Sequence, residues 1–305
     1  MQIDGVFSGG GVKAFVFIGA LEALEDRGIS FYRVAGTSAG ALFATLVVAG
    51  YRSSQLKEMF LQLDLSTFLD QSRWGKYFPF IKWLTLYKTM GLYRGKAFET
   101  WLMKQLKRQG IHTFHDIMDH RLRIVAADIT LSRIVVFPDD LDRYYHINPR
   151  HFSIAQAVRS SISIPYFFRP AKIINPLSKQ RSLLVDGMIS SNFPLWLFDQ
   201  DDQVKNARPV LGMQLTDPKQ YFAHKKVNNA VDLLKAMIDT MRKASDTRYI
   251  SKNVANKILF FPVDEIDSTR FDLTREEKER LIDYGYQRTT SFLRQWLYNG
   301  TKQQI

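Results

Sequence analysis

The stretch that decides the fold is Ile29-Ser30-Phe31-Tyr32-Arg33-Val34-Ala35-Gly36-Thr37-Ser38-Ala39-Gly40-Ala41-Leu42-Phe43-Ala44-Thr45-Leu46-Val47-Val48-Ala49. Ile29 to Ala35 reads as a strand, and Ala39 to Ala49, apolar on every side, reads as a buried helix. Between them stands Gly36-Thr37-Ser38-Ala39-Gly40. A Gly-x-Ser-x-Gly turn between strand and helix forms a strained elbow whose glycines allow close backbone approach. It exposes the serine hydroxyl at the head of a helix, where N–H groups and the helix dipole favour developing negative charge. The uncharged run from Val34 to Tyr51 has 18 residues and reaches transmembrane length. Its first half holds Gly36, Thr37, Ser38 and Gly40, so strand, tight turn and buried helix is the better reading.

Upstream, the apolar run Ile3 to Phe7 ends in Ser8-Gly9-Gly10-Gly11-Val12-Lys13-Ala14. Ala14, Phe15, Ile18, Leu21 and Leu24 then recur at helical spacing until Gly28. Strand, glycine loop, helix, strand, turn, helix is the opening of a parallel α/β sheet. The predicted fold is α/β, a mostly parallel central sheet with helices on both faces in three layers. Downstream, Ser54 is expected to cap an amphipathic helix through Leu63. Strands are expected at Leu122 to Ala127 and Ile134 to Phe137 around a turn at Leu131-Ser132. A helix is expected at Ser153 to Ser161, and a strand at Leu183 to Val185 running into Asp186-Gly187. Later strands are expected at Val210 to Leu215 and Ile258 to Phe261, with long helices near Val227–Tyr249 and Thr274–Leu297.

The glycine loop leaves backbone N–H groups free to point at an anion. Gly9, Gly11 and Ala14 also fit a dinucleotide fingerprint, the basis of an alternative reading as an oxidoreductase. That reading needs an acid at the end of the second strand, and Ile29 to Ala35 holds none. A P-loop fails because Ala14 follows Lys13. Ser38 needs a base, and the six histidines sit mostly among charges, as in His224-Lys225-Lys226. A Ser–Asp–His order with Asp186 and His224 is formally open, although an α/β-hydrolase elbow follows more strands than the two that precede Ser38. Asp186-Gly187 is the stronger candidate, an acid at the end of an apolar strand. It could take the serine proton directly if burial raised its pKa.

Together these pieces resemble the patatin-like phospholipase family, in its bacterial type. Gly9–Gly11 with Lys13 looks like the family's oxyanion loop, Gly36–Gly40 like its nucleophile elbow, and Asp186-Gly187 like its Asp-Gly motif. Arg159-Ser160-Ser161 followed by Ile164-Pro165 is similar to a segment the family carries between them. The match runs over about residues 5–215 in order. The resemblance implies a lipid acyl hydrolase with Ser38 as nucleophile, Asp186 as base, and backbone N–H groups of Gly9, Gly10 and Gly11 as oxyanion donors. Lys13, Gly36, Gly40 and Gly187 support them, and no metal or cofactor is required. Ala14 and Met188 depart from the family pattern, and Met188 is expected to alter the pocket beside the base. A lipid-binding module of the same fold without catalysis is the main alternative.

The chain has 305 residues, 46% of them hydrophobic and 24% charged, which suits a folded α/β protein and excludes a fibrous or disordered one. It has no cysteine, which removes disulfide frameworks, thiolate metal sites and cysteine nucleophiles. The formal charge of +12 is unevenly placed. Residues 71–110 carry nine basic residues against Glu99 alone, with nine aromatics including Trp74, Trp83 and Trp101. A second basic window, 218–257, carries nine lysines and arginines against three acids, leaving the remainder slightly acidic. Basic and aromatic interleaving suits an interfacial segment, with Lys76, Lys82, Trp83 and Lys88 as candidates for an anionic membrane surface. A cap whose aromatics pack on the core while its lysines face water is the competing reading. No nucleic-acid-binding signature is present. A single α/β domain over 1–305 is expected, with 71–110 as a cap or insert and about 216–305 as a variable C-terminal part. The start of the chain lacks a secretory signal pattern, so a cytoplasmic or peripheral membrane location is expected.

Overall fold

A computed structural model describes residues 1–70, 86–118, 120–198, 208–215, 227–229, single positions between 232 and 241, 257–263 and 266–302. The strands are β1 (Gln2–Phe7), β2 (Ser30–Thr37), β3 (Gly91–Tyr93), β4 (Leu122–Asp128), β5 (Arg133–Phe137), β6 (Tyr166–Phe168), β7 (Ala171–Ile174), β8 (Arg181–Asp186), β9 (Val210–Gln214) and β10 (Ile258–Phe260). The helices are α1 (Val16–Glu25), α2 (Ala39–Val48), α3 (Ser53–Gln62), α4 (Lys96–Arg108), α5 (Leu141–Tyr145), α6 (Ile154–Ser161) and α7 (Arg275–Lys302).

The main sheet runs β10-β9-β1-β2-β4-β8-β7, and its first five strands are parallel. Because strand side chains alternate, each strand feeds two cores. Phe7, Val34, Met213 and Leu259 face the larger core beneath α1 and α2. Val6, Ala35, Val210 and Ile258 face the other side, where Phe193, Leu195 and Phe198 cover them. The expected parallel opening is present, and β2 runs two residues further than expected, into Gly36 and Thr37.

β4 has an unusual pairing. Ile124 and Val125 bridge β2 and β5 at once, and Ala126 to Asp128 bridge β8 and β5 at once. β5 therefore occupies one edge of β4, and β2 and β8 share the other. β2 ends with Thr37 opposite Val125, and β8 arrives antiparallel to end with Asp186 opposite Ala126. The two strands meet head to head in one lane. β7 and β8 are themselves antiparallel, as the short turn between them requires.

Several local expectations change. α3 begins at Ser53, and Arg52 rather than Ser54 precedes it as the cap position. Gln55 Oε1 accepts the Arg52 N–H at 2.9 Å, while Ser53 bonds Glu25 of α1, so the first turn is already satisfied upstream of Ser54. In the basic aromatic window, residues 71–85, with Lys76, Lys82 and Trp83, lie outside the described residues. From Lys96 onward the window is helix α4, whose Phe98, Leu102 and Leu106 are buried while Lys104 and Lys107 face outward. Asp70 carboxylate oxygens accept the N–H groups of Gly95, Lys96 and Ala97 at 2.6, 2.8 and 3.0 Å, which caps that helix. Of the expected helix Val227–Tyr249 only scattered positions are described, and those from Asp232 to Met241 are helical. No helix among the described residues is long and apolar enough to cross a membrane.

The last helix packs on the first. A Cβ on Gly19 would fall on the Ile282 carbonyl, and one on Gly285 on the Val16 carbonyl, so α1 and α7 approach backbone to backbone. Lys278 of α7 is buried and donates from Nζ to the carbonyls of Phe60 and Leu63 at 3.2 and 2.7 Å, closing the end of α3. Gly285→Leu is expected to cost about 1–3 kcal/mol as the helices are forced apart, read as a lower urea midpoint. The exposed neighbour change Gln287→Ala is expected to stay within about 0.5 kcal/mol. Equal midpoints for both variants would contradict the close contact.

Candidate active site

β2 delivers Ser38 and β8 delivers Asp186 to the same point on the β4 edge. Ser38 Oγ donates to Asp186 Oδ2 at 2.6 Å. Ser38 has φ 55° and ψ −126°, a conformation that side chains rarely adopt, so the elbow is strained as its sequence predicts. Gly40 makes it possible, since a Cβ there would strike the carbonyls of Phe7 and Ser8 at the end of β1. A Cβ on Gly36 would lie 2.5 Å from Gly40 backbone atoms, and one on Gly187 2.5 Å from the Val125 carbonyl oxygen. Each of these three positions is a backbone-on-backbone contact that tolerates no side chain.

Two residues named only as part of a longer segment in the sequence prove to hold the elbow. Ser161 Oγ accepts the Ser38 N–H at 2.8 Å and donates to the Val125 carbonyl at 2.6 Å. Arg159, buried, donates to Ser163 Oγ and to the carbonyls of Arg94 and Arg169 at 2.7 and 2.8 Å, tying α6 to the small β3–β6 sheet. Burial pushes its guanidinium down to about 10. The Arg-Ser-Ser triplet was visible in the sequence, but most of its partners are backbone groups, which leave no pattern there.

Asp186 is fully buried. Desolvation pushes its carboxyl up to about 7, and the Ser38 hydroxyl and the Met188 N–H at 2.9 Å offset only part of that effect. Among the described residues no histidine bonds Ser38 or Asp186, and His224 lies outside them. Thr37 Oγ1 donates to the Ser191 carbonyl at 2.8 Å, fixing the turn that follows Asp186-Gly187.

The glycine loop lies beside Ser38. The Gly9 N–H is committed to the Asn192 carbonyl at 3.1 Å, so the expected donor set of three glycines narrows to two. No acceptor among the described residues takes the N–H of Gly10 or Gly11. Gly11 has φ 59°, and a Cβ there would fall on the Ser268 carbonyl. Lys13 sits half-buried on the short 3-10 turn Gly11–Phe15 that leads into α1.

An apolar cavity opens at Ser38 between the glycine loop, α2 and the aromatic residues of α3 and α4. Its walls include Phe15, Leu42, Phe60, Phe68, Phe98 and Phe168, and among the described residues no charged side chain lines it. Met188 does not line it. Its backbone serves Asp186 while its side chain stays half-buried elsewhere, contrary to the expectation of a changed pocket. Asp139 and Asp140, just after β5, are engaged by Arg123 and by the Val136 N–H.

A family model described as patatin-like phospholipase matches residues 5–199. The uncharacterized protein YqhO of Bacillus subtilis is 41% identical over 298 residues, covering 98% of this chain and 100% of its own. Triacylglycerol lipase ptl3 of Schizosaccharomyces pombe is 26% identical over 210 residues, 67% of this chain but 40% of its own length. Among solved structures, VipD from Legionella pneumophila superposes with TM-score 0.55 at 17% identity, over 96% of this chain and 67% of that one. The type III effector ExoU of Pseudomonas aeruginosa gives 0.52 at 18% identity, over 97% and 53%. At such identities these two likenesses speak to the fold alone. With a family model spanning well over half of its length and a close relative matched along nearly all of it, the chain belongs to the patatin-like phospholipase family.

Proposed function

We propose that this protein hydrolyses acyl esters of lipids, with Ser38 as nucleophile and Asp186 as its only base. The observation that carries the proposal is a serine hydroxyl 2.6 Å from a fully buried carboxylate whose pKa is raised to about 7. A base poised near neutrality both takes and returns a proton efficiently. Ser38 Oγ attacks the ester carbonyl carbon as its proton passes to Asp186 Oδ2. The N–H groups of Gly10 and Gly11 hold the resulting oxyanion, with the first turn of α2 adding its dipole. The alcohol leaves with the proton from Asp186, giving an acyl-serine. A water molecule deprotonated by Asp186 then releases the acid, and Ser38 recovers its proton.

Family membership and the lipase relative support a lipid ester as substrate, and the apolar cavity beside Ser38 suits an acyl tail. Membrane docking is part of the same proposal. Tyr87 is 86% exposed and Lys88 is exposed beside it, within the basic aromatic window. Neutralising Lys76, Lys82 and Lys88 together is expected to erase any preference for anionic over neutral vesicles in a flotation assay. An unchanged preference would move the docking face elsewhere.

A fluorophosphonate probe is expected to label wild type and leave Ser38→Ala unlabelled. Hydrolysis of short-chain ester and phospholipid is expected to fall by at least about 1,000-fold in Ser38→Ala and Asp186→Asn. A folded wild type that never labels would indicate a binding module without catalysis. The wild-type kcat/KM is expected to rise as Asp186 loses its proton, with a midpoint near pH 7, and to level off above it. The same group sets a stability trend. In the unfolded chain its pKa is the ordinary 3.8, so between that value and about 7 the folded state binds the proton more tightly. Wild type therefore loses stability as pH rises through this window. Asp186→Asn escapes the loss, and its stability relative to wild type is expected to be higher at pH 8 than at pH 5 by urea denaturation.

A further inference from the structure

The cavity beside Ser38 is not completed by the family-matched residues 5–199. Ser268 and Phe271, from the stretch between β10 and α7, supply part of its wall. The Ser268 carbonyl accepts the Val12 N–H at 3.1 Å, and it occupies the space that a Cβ on Gly11 would need. The glycine loop is thus moulded against this stretch. Three residues on, the Phe271 ring stacks on Phe167, centroids 5.5 Å apart and planes 13° from parallel. Phe167 packs in turn on Tyr93 at 4.8 Å and on Phe168 at 5.0 Å, and Phe168 lines the same cavity.

The stretch is held at its far end as well. Arg270 pairs with Glu277 in the first turn of α7. Glu277 Oε2 accepts the Thr274 N–H at 2.9 Å while Thr274 Oγ1 accepts the Glu277 N–H at 3.2 Å, a capping box. α7 is itself locked to α1 through Gly285. Phe271 is therefore a fixed wall, braced on the glycine loop at one side, the small β3–β6 sheet at another, and the last helix behind.

We infer that Phe271 is a specificity-determining residue for long acyl chains, its ring forming the surface on which the chain lies and the Ser268 carbonyl holding that surface in register with the glycine loop. The chemistry is that of a hydrocarbon tail, since the described wall is uncharged and apolar and leaves a polar occupant without partners. The inference rests on the hydrolase reading of Ser38 and Asp186.

The test has two arms. In the first, kcat/KM is compared for p-nitrophenyl dodecanoate and butanoate. Phe271→Ala is expected to lower the long-to-short ratio about tenfold, the contact of one or two methylenes, and Phe271→Leu about threefold. In the second, binding of a fluorescent dodecanoate analogue is compared between Ser38→Ala and Ser38→Ala/Phe271→Ala, and needs no turnover. The double variant is expected to bind about tenfold more weakly. Equal losses on both esters with unchanged probe binding would reduce Phe271 to a packing role and overturn the inference, while the hydrolase reading stood. Weaker probe binding in a protein that hydrolyses neither ester would keep the wall and remove the hydrolase reading. If Phe271→Ala fails to fold, Phe271→Leu carries both arms with the smaller shift, and a ratio and binding equal to wild type would overturn the inference.

Discussion

Everything at the site depends on two strands sharing one edge of a third. β4 pairs with β2 along its first half and with β8 along its second, on the same side. Both strands end at the same point on that edge, so the residue after β2 and the last residue of β8 are forced together. A side chain at a strand terminus is positioned by a hydrogen-bonded ladder up to its own backbone, which leaves little freedom for it to wander. The 2.6 Å contact between Ser38 and Asp186 is thus a product of sheet register before it is a product of side-chain packing.

That register has a cost. A carboxyl delivered to the sheet interior loses its water, and among the described residues only the Ser38 hydroxyl and the Met188 N–H offset the loss. Ser38 is held in a strained conformation. Both are local violations that the surroundings must over-determine. Ser161 takes the Ser38 N–H, Thr37 is tied to Ser191, and Gly36, Gly40 and Gly187 let three backbones touch. The unfavourable features sit where chemistry would use them, and the favourable contacts are the shell around them.

The fold's opening was legible because its signals are short-range. The apolar run at Ile3, the glycine loop, the second apolar run and the Gly-x-Ser-x-Gly turn each announce themselves within a few residues, and their order implies a parallel sheet. Asp186 was legible as an acid ending an apolar strand. What stayed hidden depends on distant partners. β3, β6 and β7 are only three or four residues long, β6 and β7 beside Pro165 and Pro170, and give no periodicity to read. The loss of Gly9 as a free donor depends on a carbonyl at Asn192, and the support from Ser161 on one at Val125. Backbone acceptors have no identity in a sequence. The basic aromatic window mixed a core helix with a charged outer face, a short strand before it, and residues 71–85, which lie outside the described part.

The backbone contact between α1 and α7 joins nearly the whole length of the chain. A ribosome releases the protein from its N-terminus, so α1 emerges with Phe17, Ile18, Ala20 and Leu21 ready for burial and the helix that covers them still unmade. The glycine loop just ahead of it waits as well, because the carbonyl it is moulded against belongs to Ser268. The stretch around Ser268 and helix α7 must both be made before the loop, the cavity wall and the first helix can take their places together. A chain made only as far as β10 therefore lacks the Ser268 contact that shapes the loop beside Ser38, and presents an apolar helix face to whatever chaperone or neighbour it meets first.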